Sequence, residues 1–304
     1  MKPKSTTTAH ELLPITPTEE EILKTMSTYR YMTALDVAHC LFSPKSLTYV
    51  RSILTRLAGG DDFQERQCLY RFPLPSAKAG NPERIFTLGA VGREVVQSLG
   101  IPVEWYYRPS KPRRLSGSYL AHQLLLTRFV ICACRFVSQS PDYSLADIRL
   151  CYELEKRIGK REGEAVVPDA WLHFERVSDG ERFPVLLEID RGSEYQERFK
   201  NHVRGRLEFI RSGDYARVFG TPAVVIAYAT TGRLQAHAET RRKTMAAWTM
   251  EVLAELELER WASIFRFTSA VEYTRLYEHG DALFTKPVWY RPDAPMTPVL
   301  LLGS

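Results

Sequence analysis

The sequence predicts a mixed α/β (α+β) protein with two domains: an N-terminal winged helix-turn-helix, then an α/β domain with a mixed sheet. Three observations favour this class. Three helix patterns precede two strand patterns, a Pro-rich basic stretch follows, and a hairpin pattern then leads into alternating helices and strands. With 304 residues, 44% of them hydrophobic, each domain can form a core. We expect a flexible tail over residues 1–17, the winged helix over 18–99, a basic linker over 100–117 and the second domain over 118–304.

Net positive charge is confined to the first part of the chain. Residues 1–117 contain 16 Lys and Arg against 11 Asp and Glu, whereas the remaining residues contain 25 of each kind. A local excess of positive charge is typical of a face that binds a polyanion. The composition therefore favours a nucleic-acid partner for the first domain.

The cysteines and the apolar segments exclude several classes of protein. The five cysteines are scattered and never spaced Cys-x-x-Cys, which argues against a disulfide framework and a zinc knuckle. No stretch reaches the ~20 apolar residues of a membrane helix, and no signal-peptide pattern is found. We therefore expect a cytoplasmic protein that does not act at a membrane.

Three helices are predicted at the start of the first domain. Thr18 and Glu21 have capping-box spacing and begin the first helix, which ends near Tyr29. The second helix covers residues 33–42, and the third has apolar residues at helical spacing over 47–57. This order suits a helix-turn-helix.

Two strands and a fourth helix complete the predicted domain. The strands, over residues 66–73 and 84–88, are joined by a polar loop and form the hairpin of a wing. A helix over residues 91–99 closes the domain.

Polar and basic side chains share the face of the third helix opposite its apolar side. They can donate hydrogen bonds to base edges or phosphates, so we predict binding to double-stranded DNA. The alternative interpretation is a protein-interaction module. The predicted DNA-binding residues are Lys45, Thr48, Tyr49, Ser52 and Arg56 on the helix, Arg66, Arg71, Lys78 and Arg84 on the wing, and Arg113 and Arg114 in the linker.

A hairpin in the second domain brings carboxylates together. Asp179-Gly180, between two alternating runs, is a strong signal for a two-residue turn. That register places Asp169 opposite Asp190, and Trp171 opposite Glu188. The three carboxylates then share one face, and aliphatic side chains occupy the other.

Clustered carboxylates repel one another unless a cation is present. A hard divalent ion, Mg²⁺ or Mn²⁺, is a usual solution and can polarise a phosphodiester and activate water. The sequence therefore predicts a metal site at Asp169, Glu188 and Asp190. The alternative is that these are idle acids on a solvent-facing strand.

The other elements of the second domain follow from apolar periodicity. The predicted elements are helices over residues 118–137 and 145–158, a helix from a Ser193/Gln196 capping box through Phe209, a strand over 221–228, a long helix after Leu234, a strand over 264–267, and an extended tail over 270–304 with a docked strand at 299–302.

This order of elements resembles the core of the PD-(D/E)xK, or restriction-endonuclease-like, superfamily. Pro168-Asp169 would be the PD, and Glu188-Ile189-Asp190 the (D/E)xK with Asp in place of lysine. The resemblance implies that Asp169, Glu188 and Asp190 are catalytic and that Lys200, on the following helix, substitutes for the missing lysine. It also implies that Glu155, on the preceding helix, supports the metal.

A narrower resemblance is to the replication-relaxation family of plasmid and mobile-element proteins. It rests on the winged helix, His122 in an apolar helix, Pro168-Asp169, and the run Leu-Glu-Ile-Asp-Arg-Gly-Ser-Glu at residues 187–194. It covers most of residues 18–230. It implies a role in replication of a mobile element and relaxation of its DNA, with a homodimer or replication and transposition proteins as further partners.

Two functions remain open at this point. The first is a metal-dependent DNA endonuclease or nickase. The second is a non-catalytic replication or transcription regulator whose nuclease-like domain serves dimerisation or protein contacts. The His-x-His cluster of a rolling-circle relaxase and the Gly-x-x-x-x-Gly-Lys-Ser/Thr loop of an ATPase are both missing from the sequence.

Overall fold

A computed structural model describes residues 15–59, 67–74, 83–109, 116–158, 167–192, 195–232, 234–269 and 276–303. The chain divides into two compact units, Met1–Ile131 and Cys132–Ser304. Helices and a mixed sheet confirm the predicted α/β class. The predicted domain limits describe regions that would fold independently of each other. The division into two compact units does not test independent folding, so these limits stay predictions.

The first unit contains helices around a small antiparallel sheet. Among its described residues, three strands pair in the order β1-β3-β2. In chain order the elements are α1 (Pro17–Tyr29), β1 (Met32–Thr33), α2 (Ala34–Leu41), a 3₁₀ turn (Pro44–Ser46), α3 (Leu47–Leu57), β2 (Leu69–Pro73), β3 (Arg84–Leu88), α4 (Ala90–Ser98) and the first part of α5 (Gly117–Gln139).

Helix α1 begins earlier than its sequence pattern suggested. Thr16 is the N-cap, and its hydroxyl and backbone form a capping box with Glu19. Pro17 occupies the first turn, where its fixed φ and missing N–H suit a helix start. The predicted Thr18/Glu21 capping box is therefore wrong, because Thr18 already lies within the helix.

The segment after α4 packs against the first unit over its described part. Trp105 contacts Tyr31, with ring centroids 5.3 Å apart, and Tyr107 lies against both Tyr70 and Phe72. The Tyr107 N–H also donates to the Leu88 carbonyl at 2.8 Å. Residues 101–109 thus form part of the folded unit, although the sequence assigned them to a linker.

Helix α5 is the one described helix that is long and apolar enough to cross a membrane. However, 67% of its most apolar window is buried within the protein. A core helix has this combination of composition and burial, so α5 is weak support for a membrane span.

The second unit is built on a mixed sheet. Within the part of the chain that is described, seven strands run in the order β10-β9-β8-β7-β6-β5-β4, and the β6–β7 and β7–β8 pairs are parallel. After α5 the elements are β4 (Tyr143–Leu150), α6 (Cys151–Ile158), β5 (Ala170–Arg176), β6 (Arg182–Asp190), α7 (Gln196–Arg211), α8 (Asp214–Phe219), β7 (Val225–Thr230), α9 (Gln235–Glu255), a 3₁₀ helix (Glu259–Ile264), β8 (Phe265–Thr268), α10 (Leu276–His279), α11 (Ala282–Thr285), β9 (Trp289–Arg291) and β10 (Ala294–Val299).

Three predicted elements of this unit differ from the structure. The predicted helix over 145–158 starts as strand β4, because this segment pairs with β5 and carries a bulge between Leu145 and Asp147. Helix α7 has Tyr195 as its N-cap, and the predicted cap Ser193 lies outside the described residues. The predicted extended tail instead forms short helices and a β9–β10 hairpin, and the expected strand at 299–302 is not formed, although Leu301 and Leu302 are buried.

The register of the β5–β6 hairpin differs from the predicted one by two residues. Its loop has four residues, and the Arg176 N–H donates to the Glu181 carbonyl across its base. Gly180 has φ +70°, and the Asp179 carboxylate accepts the Glu181 N–H, so these two residues close a longer loop than a two-residue turn. Asp169 therefore lies opposite Glu188, and the predicted pairing with Asp190 is wrong.

Both faces of this hairpin are covered. Because the register shift is even, each side chain keeps its predicted face. The face with Trp171 and Leu186 packs under α7 and α9 through Phe199 and Val252. The opposite face is covered in part by Phe284, which contacts Phe174 and Phe136. The carboxylates are consequently not on an open solvent-facing strand.

Candidate functional site

The candidate site lies at the end of β6. Glu188 and Asp190 alternate with Ile189, so both project to the face covered by α7 and α9. Asp169 immediately precedes β5, and its carboxylate accepts the Ile189 N–H at 2.8 Å. The structure thus places the three carboxylates that the sequence grouped on one face, at the same end of the β5–β6 pair.

A buried arginine neutralises Glu188. Arg206 lies on α7, its side chain is 2% exposed, and it donates to the Glu188 carboxylate and to the Tyr228 hydroxyl. Burial acts to lower the pKa of Arg206, but the nearby charges of Glu188, Tyr228 and Asp169 raise it above its ordinary value. Arg206 is therefore a permanent cation inside the site.

A second arginine holds Asp190. Arg241, near the start of α9, donates through Nε and Nη2 to the two oxygens of the carboxylate. The Gly192 N–H donates to the same carboxylate at 3.0 Å. Trp248, one face of which lies 5.2 Å from the guanidinium carbon, supports Arg241 from its own helix. Asp190 is thus surrounded by donors.

Two further residues of the predicted set lie elsewhere. Lys200 Nζ is 2.6 Å from a carboxylate oxygen of Glu251 and 3.8 Å from one of Glu255, both on α9. Its charge therefore supports the α7–α9 contact and does not reach the β6 carboxylates. Glu155 is exposed on α6.

The arrangement of these residues does not fit a divalent cation. A hard cation needs several free oxygen ligands, whereas Glu188 and Asp190 are engaged by guanidinium groups and Asp169 by a backbone N–H. Within the described residues, no group of three or more His, Cys, Asp or Glu is placed to hold a metal ion. Two arginines supply the positive charge that the sequence assigned to Mg²⁺ or Mn²⁺.

The face of α3 that was predicted to bind DNA is accessible. Thr48, Tyr49 and Ser52 of α3 are exposed, and the opposite side of the helix is buried. Lys45 is also exposed but lies in the 3₁₀ turn before α3, and not on the helix as predicted. Arg56 is half-exposed but forms an ion pair with the buried Glu19 of α1, so it also has a structural role.

On strands β2 and β3, which were predicted to form the wing, Arg71 and Arg84 are exposed. Four residues of the predicted set lie outside the described residues: Arg66, Lys78, Arg113 and Arg114.

Comparison with known proteins decides the family. The replication-relaxation family profile matches residues 23–225, about two thirds of the chain. The chain belongs to the replication-relaxation family. No curated protein matches it, and no solved structure does. The likeness to the PD-(D/E)xK superfamily stays a resemblance in the order of elements and in two motifs.

The family match covers most of the candidate features of this replication-relaxation protein. It includes α3, the three carboxylates and Arg206, whereas Arg241 lies beyond its end. The Glu188–Arg206 pair is thus within the matched region. Arg241, which binds Asp190, lies outside it.

Sequence reasoning missed the two arginines. A signal for Arg206 was present, since it follows Phe199 by seven residues and Val203 by three and so falls on the apolar side of α7. A charged residue at such a position needs a buried partner. Which carboxylate it would meet was not readable, because α7 and β6 are brought together only by the fold.

Proposed function

We propose that this replication-relaxation protein binds double-stranded DNA through its first unit and acts in the cytoplasm in replication of a plasmid or other mobile element. The element order α1-β1-α2-α3-β2-β3 supports the proposal, because it is the order expected of a winged helix-turn-helix, in which α3 would be the recognition helix. The family description supports the link to replication.

The observation that carries the proposal is the division of α3 into two faces. Val50, Ile53, Leu54 and Leu57 are buried, which fixes the helix against the unit. Thr48, Tyr49 and Ser52 face outward, and Lys45 is exposed in the 3₁₀ turn just before the helix; together they supply hydrogen-bond donors and one aromatic ring. A helix so presented can enter the ~12 Å major groove and contact base edges.

Fluorescence anisotropy with labelled duplex DNA tests the proposal. The double variant Lys45→Gln/Tyr49→Ala changes the exposed face, and Lys24→Gln/Thr28→Ala makes a comparable change on α1. We expect the first variant to bind at least about tenfold more weakly, because a good base contact contributes ~1–3 kcal/mol, and the second to bind like the wild type. Equal binding by all three proteins would show that α3 is not the DNA-binding face.

For the second unit we propose a non-catalytic role, in dimerisation or in contacts with replication or transposition proteins. The support is that Glu188 and Asp190 are already neutralised by Arg206 and Arg241. In both pairs a guanidinium already supplies the positive charge beside the carboxylate that a metal ion would otherwise supply.

A metal-dependent endonuclease or nickase is the second candidate. One observation favours it: Asp169, just before β5, and Glu188 and Asp190 of β6 lie on one face at the same end of these two strands. For such an activity Mg²⁺ or Mn²⁺ would have to displace Arg206 and Arg241. No hydrolytic step follows from the arrangement of residues described here.

Incubation with supercoiled plasmid and Mg²⁺ or Mn²⁺ separates the two candidates. Asp169→Asn and Glu188→Gln are suitable variants because they remove the charge and keep the shape of the side chain. The wild type and both variants are compared at matched DNA occupancy. The non-catalytic role predicts intact plasmid with all three proteins. Nicking by the wild type that both variants lose would establish the nuclease instead.

A further inference from the structure

The first unit contains a polar cleft beside the proposed recognition helix. It has a volume of about 520 Å³, and α2, α3 and the β3 strand with the residue before it form its walls. The lining residues are Ala34, Leu35, Arg51, Thr55, Glu83, Arg84 and Phe86. Of the residues predicted to bind DNA, Arg84 lines this cleft and those of the third helix do not, so the cleft lies beside the outward face of α3 and adds Arg51 to the predicted set.

Two arginines give the cleft its charge. Arg51 and Arg84 are both exposed, and no described side chain pairs with either guanidinium. Arg51 lies one turn before Thr55 on α3, and Arg84 begins β3 on the facing wall. Because unpaired arginines facing one cleft repel each other, the cleft favours an anionic ligand.

The one acidic residue of the lining does not cancel this charge. Glu83 forms an ion pair with Arg128, whose Nη2 lies 3.3 Å from Glu83 Oε1. Arg128 is buried and also binds Asp36, so it is fixed in place. Counted over the described side chains, the net charge of the cleft and of the groups paired beneath it remains positive.

We propose that Arg51 and Arg84 bind backbone phosphates of duplex DNA in this cleft, flanking the major groove that α3 enters. This inference rests on the proposed function. Phosphates border the groove on both sides of an inserted helix, and Arg51 projects from the flank of α3 next to its outward face. The fork of donors on each guanidinium matches phosphate oxygens. The cleft therefore positions the protein on DNA without reading sequence.

The salt dependence of DNA binding tests this assignment. The proteins are the wild type, Arg51→Gln, Arg84→Gln, the double variant and Lys24→Gln as a charge-matched control on α1. Anisotropy is measured on duplexes of different sequence between ~50 and ~200 mM salt, with melting temperatures to check the fold. We expect the slope of log K against log salt to fall by about 1 for each arginine removed and to be unchanged in the control. The weakening should be the same for all sequences.

The outcomes separate this inference from the proposed function. A wild type that binds no duplex even at low salt would overturn both. A wild type that binds, with a double variant of unchanged slope, would overturn only the phosphate assignment. A titration with ATP checks whether the phosphate comes from a free nucleotide. ATP binding that the double variant loses, with DNA binding intact, would also overturn the inference.

Discussion

Arg241 binds Asp190 through both carboxylate oxygens, with Nε 2.9 Å from Oδ2 and Nη2 3.1 Å from Oδ1. The side chains are 14% and 8% exposed, so the pair is largely shielded from water. A planar guanidinium matches a carboxylate in this geometry, and such paired hydrogen bonds are the stronger kind. The contact joins the end of β6 to the second turn of α9.

Arg241→Gln should destabilise the protein by about 3 kcal/mol, because it leaves a buried carboxylate without its cation. Urea denaturation followed by tryptophan fluorescence measures the loss. Arg217→Gln is a matched control, since Arg217 pairs with Asp214 but is 72% exposed, and its loss should cost at most about 1 kcal/mol. Equal costs for the two variants would contradict a buried role for the Arg241–Asp190 pair.

The pair between Arg206 and Glu188 makes a different prediction. Arg206→Met removes the buried cation beside Glu188 and should cost about 3–5 kcal/mol, whereas the double variant Arg206→Met/Glu188→Leu should recover most of that loss. Both variants remove the donor to Tyr228, so their difference isolates the charge of Glu188 in the absence of Arg206. The free energies of unfolding are compared by urea denaturation. If the double variant were no more stable than Arg206→Met, the charge of Glu188 would not be the cause of the lost stability.

Much of the fold was readable from local periodicity. The third helix was predicted over residues 47–57 and is observed as Leu47–Leu57. The prediction was possible because the apolar residues recur at helical spacing and form the buried side of the helix. The face shared by Asp169, Glu188 and Asp190 was also predicted, since side chains alternate along a strand and the observed register differs from the predicted one by an even number of residues.

Features that depend on distant parts of the chain were not readable. Strand β4 looked helical, and only pairing with β5 shows it to be a strand. The partners of Glu188 and Asp190 come from α7 and α9 and lie 18 and 51 residues further along the chain. The sequence therefore located the carboxylates but assigned their counter-charge to a metal.

The start of α1 provides a stability prediction. Thr16→Ala removes the cap of the helix and should cost about 1 kcal/mol, since the hydroxyl and the Glu19 carboxylate satisfy end groups of α1. Thr18→Ala, within the helix, should change stability by less than about 0.5 kcal/mol. Thermal unfolding of both variants compares them. A larger loss of stability for Thr18→Ala than for Thr16→Ala would instead favour the Thr18/Glu21 capping box predicted from the sequence.

Acid unfolding should show the contribution of Glu239. The Arg242 guanidinium, 2.6 Å away, and the Ser269 hydroxyl lower the pKa of this carboxyl from 4.5 to about 2 despite partial burial. A carboxyl whose folded pKa is lowered stabilises the folded state above its unfolded pKa and loses that contribution as pH falls through the folded one.

Glu239→Gln should therefore be less stable than the wild type at neutral pH. The difference should shrink below pH 4.5 and vanish near pH 2. Urea denaturation across this range measures it, with Glu259→Gln, an exposed carboxyl on the 3₁₀ helix, as the control. A gap between Glu239→Gln and the wild type that stays constant down to pH 2 would mean that the hydrogen bonds to Arg242 and Ser269 stabilise the fold without coupling to the charge of Glu239.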